Sequence, residues 1–176
     1  MKLKAFILSC LGLMCFWASA QAVPTDITVM VKTKDAKFMG TSMSGALITI
    51  RNAQTGEMLA KGVTTGGTGN TEVIMKSPHV RGSALSDEKS AKFKATIDID
   101  EPTLVEVTAY GPLAQLQSAN RASTTQWVIP GKDITGGDAW MMEIPGFVVD
   151  ILAPPTHIKL KGAPRDVLIK ANITMM

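Results

Sequence analysis

Eleven methionines in 176 residues make thioether chemistry the first question this sequence raises. Met1 and Met14 fall in the leading segment, which leaves nine for the rest of the chain. Met39-Gly40-Thr41-Ser42-Met43 places two of them four apart in a small, polar stretch, and Met141-Met142 and Met175-Met176 add pairs. Thioethers are soft donors suited to Cu(I). Met39 and Met43 are therefore candidate copper ligands, with His79 or His157 completing a three-coordinate site if folding brings one close. The plainer role is packing, because methionine fills irregular gaps in a core. Met30, Met58 and Met75 sit at strand positions where packing is explanation enough. Packing is the favoured reading, and no other cofactor is expected.

Trp127 and Trp140 flank the stretch Pro130 to Asp138. If that stretch closes a hairpin, the two indoles lie near each other. Exposed, they form a platform for a carbohydrate or protein partner; buried, they anchor the core. Their apolar neighbours favour the core.

The remaining reactive residues form no recognisable constellation. His79 and His157 are the only histidines, far apart and without carboxylate or thiol at ligand spacing. Gly62, Gly66, Gly67 and Gly69 resemble a phosphate loop only superficially. Thr68-Gly69-Asn70 stands where a Lys and a Ser or Thr should open a helix. Turns and bulges that need positive φ account for these glycines better. Carboxylates cluster at Asp98, Asp100 and Glu101, and again at Asp133 and Asp138, but neither set matches a calcium-loop pattern. They read as solvated turn residues. A glycosidase pair depends on the distance between carboxylates and stays open at this level. Neither a nucleophile elbow nor a Cys/His pair is present, so the chain is expected not to be an enzyme.

Compartment is the clearer message. Met1 to Lys4 is basic, Ala5 to Trp17 is apolar, and Ala18-Ser19-Ala20-Gln21-Ala22 ends the stretch with small residues. These are the three parts of a secretory signal peptide; cuts after Ala20 and after Ala22 both fit the small-residue rule, and the second is preferred. The apolar run is shorter than a membrane span requires, and the mature chain is expected to carry no transmembrane helix. Both cysteines, Cys10 and Cys15, lie inside the signal, so the exported domain is held by its core without disulfides. Removing Lys2 and Lys4 from the eighteen Lys and Arg leaves sixteen against fifteen Asp and Glu. That near-balance gives no electrostatic case for a nucleic-acid partner.

Period-two patterning dominates the chain after Ala22, and no helix-length apolar stripe competes with it. Strands are expected at Ile27–Lys32, Ala46–Arg51, Met58–Val63, Phe93–Ile99 and Leu104–Tyr110. Further strands are expected at Gln126–Ile129, Ala139–Ile144, Phe147–Leu152, His157–Lys161 and Val167–Thr174. Glu72-Val73-Ile74-Met75 is also strand-like, and helix is confined to single turns such as Ser86-Asp87-Glu88-Lys89. About ten short strands separated by turns specify an all-β antiparallel sandwich or barrel. Three connections exceed what a hairpin needs: Lys76 to Ala91, Gly111 to Thr125, and Pro130 to Asp138. Long loops on a β scaffold are common sites of binding.

Ser44-Gly45-Ala46-Leu47-Ile48-Thr49-Ile50, Thr55-Gly56-Glu57, Val63-Thr64-Thr65-Gly66 and the stretch Leu104 to Tyr110-Gly111 carry a family resemblance. Together they resemble the first strands and turns of carboxypeptidase regulatory-like domains, which have a transthyretin-type sandwich. The resemblance covers about residues 27–111. It implies a noncatalytic folding, interaction or carbohydrate-binding module. The hydroxyisourate hydrolases of that fold end in Tyr-Arg-Gly-Ser and use an early histidine. Here the chain ends Asn172-Ile173-Thr174-Met175-Met176, with no His before His79, so that activity is not implied.

The sequence thus specifies residues 1–22 as signal and 23–176 as one sandwich domain, 112–176 supplying extra strands and loops. The expected role is an exported binding or accessory protein of the bacterial periplasm. Its partner would be an envelope protein or a carbohydrate, with Cu(I) binding as the alternative.

Overall fold

The computed structural model describes residues 21–175; the expected signal, apart from Gln21 and Ala22, lies outside the described residues, as do Cys10 and Cys15. The chain forms nine strands: β1 (Val23–Thr33), β2 (Leu47–Asn52), β3 (Met58–Val63), β4 (Phe93–Ile99), β5 (Thr103–Gly111), β6 (Asn120–Val128), β7 (Trp140–Ile144), β8 (Phe147–Ala153) and β9 (Lys170–Met175). They form a three-stranded sheet ordered β4-β1-β7, a four-stranded sheet ordered β3-β2-β5-β6, and a separate β8-β9 ribbon. The two larger sheets pack face to face. Ile27, Val29 and Val31 of β1, Ile97 of β4 and Met142 of β7 meet Ile48, Ile50, Val105 and Val107 of the other sheet in one buried core. Alternation generates this directly, since every second residue of a strand points to the same side.

The all-β sandwich expected from the period is what the chain forms. One pairing departs from the antiparallel expectation: β1 runs parallel to β7, Val29 opposite Trp140 through Thr33 opposite Ile144. Three local readings also change. Glu72–Lys76 is a wide helical turn, not a strand. Asn70 starts it by accepting the Glu72 N–H on Oδ1 at 2.9 Å, and only Ile74 of its residues is buried. Asn120 to Thr125, expected as loop, is most of β6, while His157–Lys161 pairs with nothing and is not a strand.

The long segment after β3 folds back over the outer side of the three-stranded sheet. Ile74 and Ala91 join Met30 and Phe38 in a second small core, with Leu85 and Met141 at its margin. Gly69 at φ +82° permits the turn into this cover, and a Cβ there would sit 2.7 Å from the Ile74 side chain. Both reasons demand glycine.

Candidate functional site

The outer face of the four-stranded sheet is open. Its register places Leu104 opposite Trp127, Glu106 opposite Thr125, Thr108 opposite Ser123 and Tyr110 opposite Arg121. Thr49 and Arg51 of β2 continue two of these rows, opposite Thr108 and Glu106. Trp127 is 59% exposed on this face. An indole so exposed contributes little to folding, yet it is the largest flat apolar surface a side chain offers.

Between Trp127 and the Tyr110–Arg121 row lies a polar strip. Trp127 and Arg121 are six residues apart on one strand, about 20 Å at the usual rise. In the middle, Glu106 is held in place. Its Oε1 accepts the Ser123 hydroxyl at 2.7 Å and the Thr108 hydroxyl at 3.1 Å. Those two bonds, with the charge of Arg51, keep the Glu106 carboxyl below its ordinary range. Glu106 is thus a carboxylate at neutral pH, with Oε2 free of protein donors among the described residues. At the far end the Arg121 guanidinium lies 5.7 Å from the centre of the Tyr110 ring, a cation–π distance. The face offers an apolar plate, a fixed acceptor, several hydroxyls and guanidinium donors.

Trp140 is elsewhere. Strands β6 and β7 belong to different sheets, so the two tryptophans do not share a hairpin. Trp140 is 6% exposed in the main core, where its indole N–H donates to the Thr124 hydroxyl at 2.9 Å. The core placement expected for both holds for Trp140 and is overturned for Trp127, which alone presents surface, so no shared platform forms.

The candidate copper ligands are placed in or beside the same core. Met39 is 1% exposed and packs against Gly111 and Ala46; Met43 is half-buried on the core margin. Neither histidine joins them. His79 Nε2 donates to the Ile74 carbonyl at 3.0 Å, and His157 sits exposed at φ 64° in the connection between β8 and β9.

Two of the three long connections do meet. The Asp138 carboxylate accepts the Leu85 and Ser86 backbone N–H groups at 2.8–3.0 Å, tying the loop before β7 to the segment after β3. Between them, over Thr28, Lys94 and Thr96, lies a groove of about 650 Å³ on the three-stranded sheet. Asp87 lines it, and the Ser90 hydroxyl foremost holds its carboxyl below the ordinary range. Asp133 is likewise spent on structure, accepting the Asp26 N–H at 2.9 Å. The loops and the exposed indole thus lie on opposite faces of the sandwich. Among the described residues no three His, Cys, Asp or Glu side chains gather as a metal site.

Sequence reasoning named Trp127 but not Glu106, Ser123 or Arg51. The signal was the alternation of β5, whose even-numbered residues Leu104, Glu106, Thr108 and Tyr110 share a face. It gains meaning only once β6 is known to pair with it. No protein-family model, curated protein or solved structure matches the chain.

Proposed function

We propose that this is an exported, noncatalytic binding protein of the bacterial periplasm, and that its open sheet face takes a carbohydrate chain. The observation that carries the reading is Trp127, exposed at one end of a strip of fixed polar groups. A sugar ring has apolar C–H faces and a rim of hydroxyls. It stacks on an indole while its hydroxyls bond to Glu106, Ser123 and Arg51, each of which donates or accepts as its chemistry allows. A length of about 20 Å suits a short oligosaccharide lying along β6. Glu106, held ionised, serves as a hydrogen-bond acceptor for a sugar hydroxyl. The resemblance to carboxypeptidase regulatory-like domains belongs to the same proposal, supported by the two-sheet sandwich and the turn at Thr55–Glu57.

The test is a tryptophan-fluorescence titration of the protein with a panel of soluble oligosaccharides. Saturable quenching is expected, abolished in Trp127→Ala, weakened in Glu106→Gln and unchanged in Lys94→Ala on the opposite groove. Absence of any sugar response, or a response that Lys94→Ala removes and Trp127→Ala does not, would overturn the proposal.

A further inference from the structure

The pairing registers extend the open face across all four strands of its sheet. One row runs Lys61, Thr49, Thr108 and Ser123. The next row toward Trp127 runs Met58, Arg51, Glu106 and Thr125, and the row on the other side runs Val63, Leu47, Tyr110 and Arg121. Three cations therefore stand around one line of hydroxyls. Lys61 closes its β3 end, and Arg51 and Arg121 flank it one row to either side. On the backbone grid Lys61 lies about 8 Å from Arg51 and about 16 Å from Arg121. Glu106 is the only carboxylate in these rows.

All three cations are exposed, and none forms an ion pair among the described residues. Arg51 donates one N–H to the Gly56 carbonyl at 3.1 Å, which fixes the guanidinium and leaves its other donors open. Arg121 rests against the Tyr110 ring with its N–H edge still available. The groove on the opposite side of the sandwich has the reverse balance, Lys92 and Lys94 against Asp26, Asp87 and Glu88. A chain with nearly equal numbers of acids and bases thus turns a positive face outward where Trp127 is exposed.

Resting on the carbohydrate reading of this face, we infer that the saccharide it takes is acidic, a chain whose rings bear carboxylate groups or sulfate or phosphate esters. Such a chain meets every group the face presents. A ring stacks on Trp127, hydroxyls bond to Glu106 and Ser123, and the anionic groups fall to Arg51, Lys61 and Arg121. The guanidinium fork matches a carboxylate or an ester oxyanion with two parallel N–H donors, and the Lys61 ammonium adds a point charge. A neutral chain leaves all three cations without a counterpart across the contact. Each exposed pair is weak alone, so the preference comes from the three acting together. Their common field also draws an anionic chain toward the face before contact is made.

Tryptophan-fluorescence titrations with oligogalacturonate, a sulfated dextran oligomer, a neutral malto-oligosaccharide of similar length and polyglutamate test it. At low ionic strength an acidic saccharide should bind about tenfold more tightly than the neutral one, an advantage that shrinks as salt is added. A preference for oligogalacturonate assigns the recognised group as a carboxylate, and one for sulfated dextran assigns it as an ester. Lys61→Gln and Arg121→Gln should each weaken binding of the acidic chain about two- to fivefold and leave the neutral chain unchanged. Combined with Arg51→Gln they should abolish the preference, with circular dichroism to follow the sandwich. Equal binding of acidic and neutral chains overturns this inference and leaves the carbohydrate reading standing, as does a preference that survives in the triple variant. No response to any saccharide removes both. Polyglutamate bound as tightly as oligogalacturonate, in the unaltered protein and in Trp127→Ala alike, overturns it in favour of a general polyanion surface.

Discussion

Replacing Met39 by alanine separates the two roles its sequence setting allows. The side chain is 1% exposed, its Sδ packs where Gly111 and Ala46 approach, and its backbone is tied on both sides. Its N–H donates to the Val31 carbonyl at 2.8 Å, and its carbonyl accepts the Thr64 hydroxyl at 3.0 Å. Those backbone bonds survive the substitution, so the surroundings cannot collapse freely into the space left behind. The cost is then the transfer term plus a cavity, about 2–5 kcal/mol for a buried Met→Ala. Met43→Ala, at a half-buried margin, should cost about 1 kcal/mol. Against a total stability of about 5–15 kcal/mol for a domain, the first change is easily resolved by urea unfolding monitored through Trp140 fluorescence. Adding Cu(I) under reducing conditions completes the experiment. A ligand that binds only the folded state raises the midpoint by mass action, and a thioether committed to packing gives no such rise. A cost for Met39→Ala below about 1 kcal/mol, or a copper-dependent midpoint lost in that variant, would refute the packing argument.

Glu106 should titrate below the ordinary glutamate range, observable by NMR of its carboxyl. Because its folded pKa is lowered, its contribution is fully present above the unfolded value of 4.5 and is lost as pH falls through the folded value. Ser123→Ala removes the foremost cause and should move that loss to higher pH; a titration unmoved by this change would count against the assignment. Asp138→Ala should free the segment at Leu85 and Ser86, costing about 1–3 kcal/mol and accelerating amide exchange at those two residues. Unchanged exchange there would show that other contacts hold the loop.

The parts of the fold legible in the sequence are those where burial differs between the two faces of a strand. Phe93–Ile99 alternates cleanly because one side meets the core and the other meets water, and Thr103–Gly111 does so apart from Thr108, which is buried on the outer side. Strand β6 hides this signal. It is an edge strand exposed at most positions, and Arg121, Ser123, Thr124, Thr125 and Gln126 show no alternation to detect. Glu72–Lys76 misleads in the opposite sense, since Val73, Ile74 and Met75 look like a buried run while only Ile74 is covered. The tryptophan pair failed as a shared platform for a topological reason. β7 joins β1 across the whole chain, a pairing that no local spacing announces. The polar strip suffered from the same gap, because Glu106 and Ser123 become neighbours only through the β5–β6 register.

That long-range parallel pairing also bears on how the molecule comes together. β1 is the middle strand of its sheet, yet its neighbours are β4 and β7, so it has no sheet partner until Phe93 is available and gains its second only with Trp140. Closing such distant segments costs chain entropy before any contact repays it, and folds dominated by these pairings assemble over milliseconds to seconds. β2, β3, β5 and β6, joined by antiparallel pairings between strands closer in sequence, can form first and offer Ile48, Ile50, Val105 and Val107 as a surface on which β1 settles. The four-stranded sheet can then serve as the template on which β1, the first of the nine strands described, finds its place, with β7 added on β1.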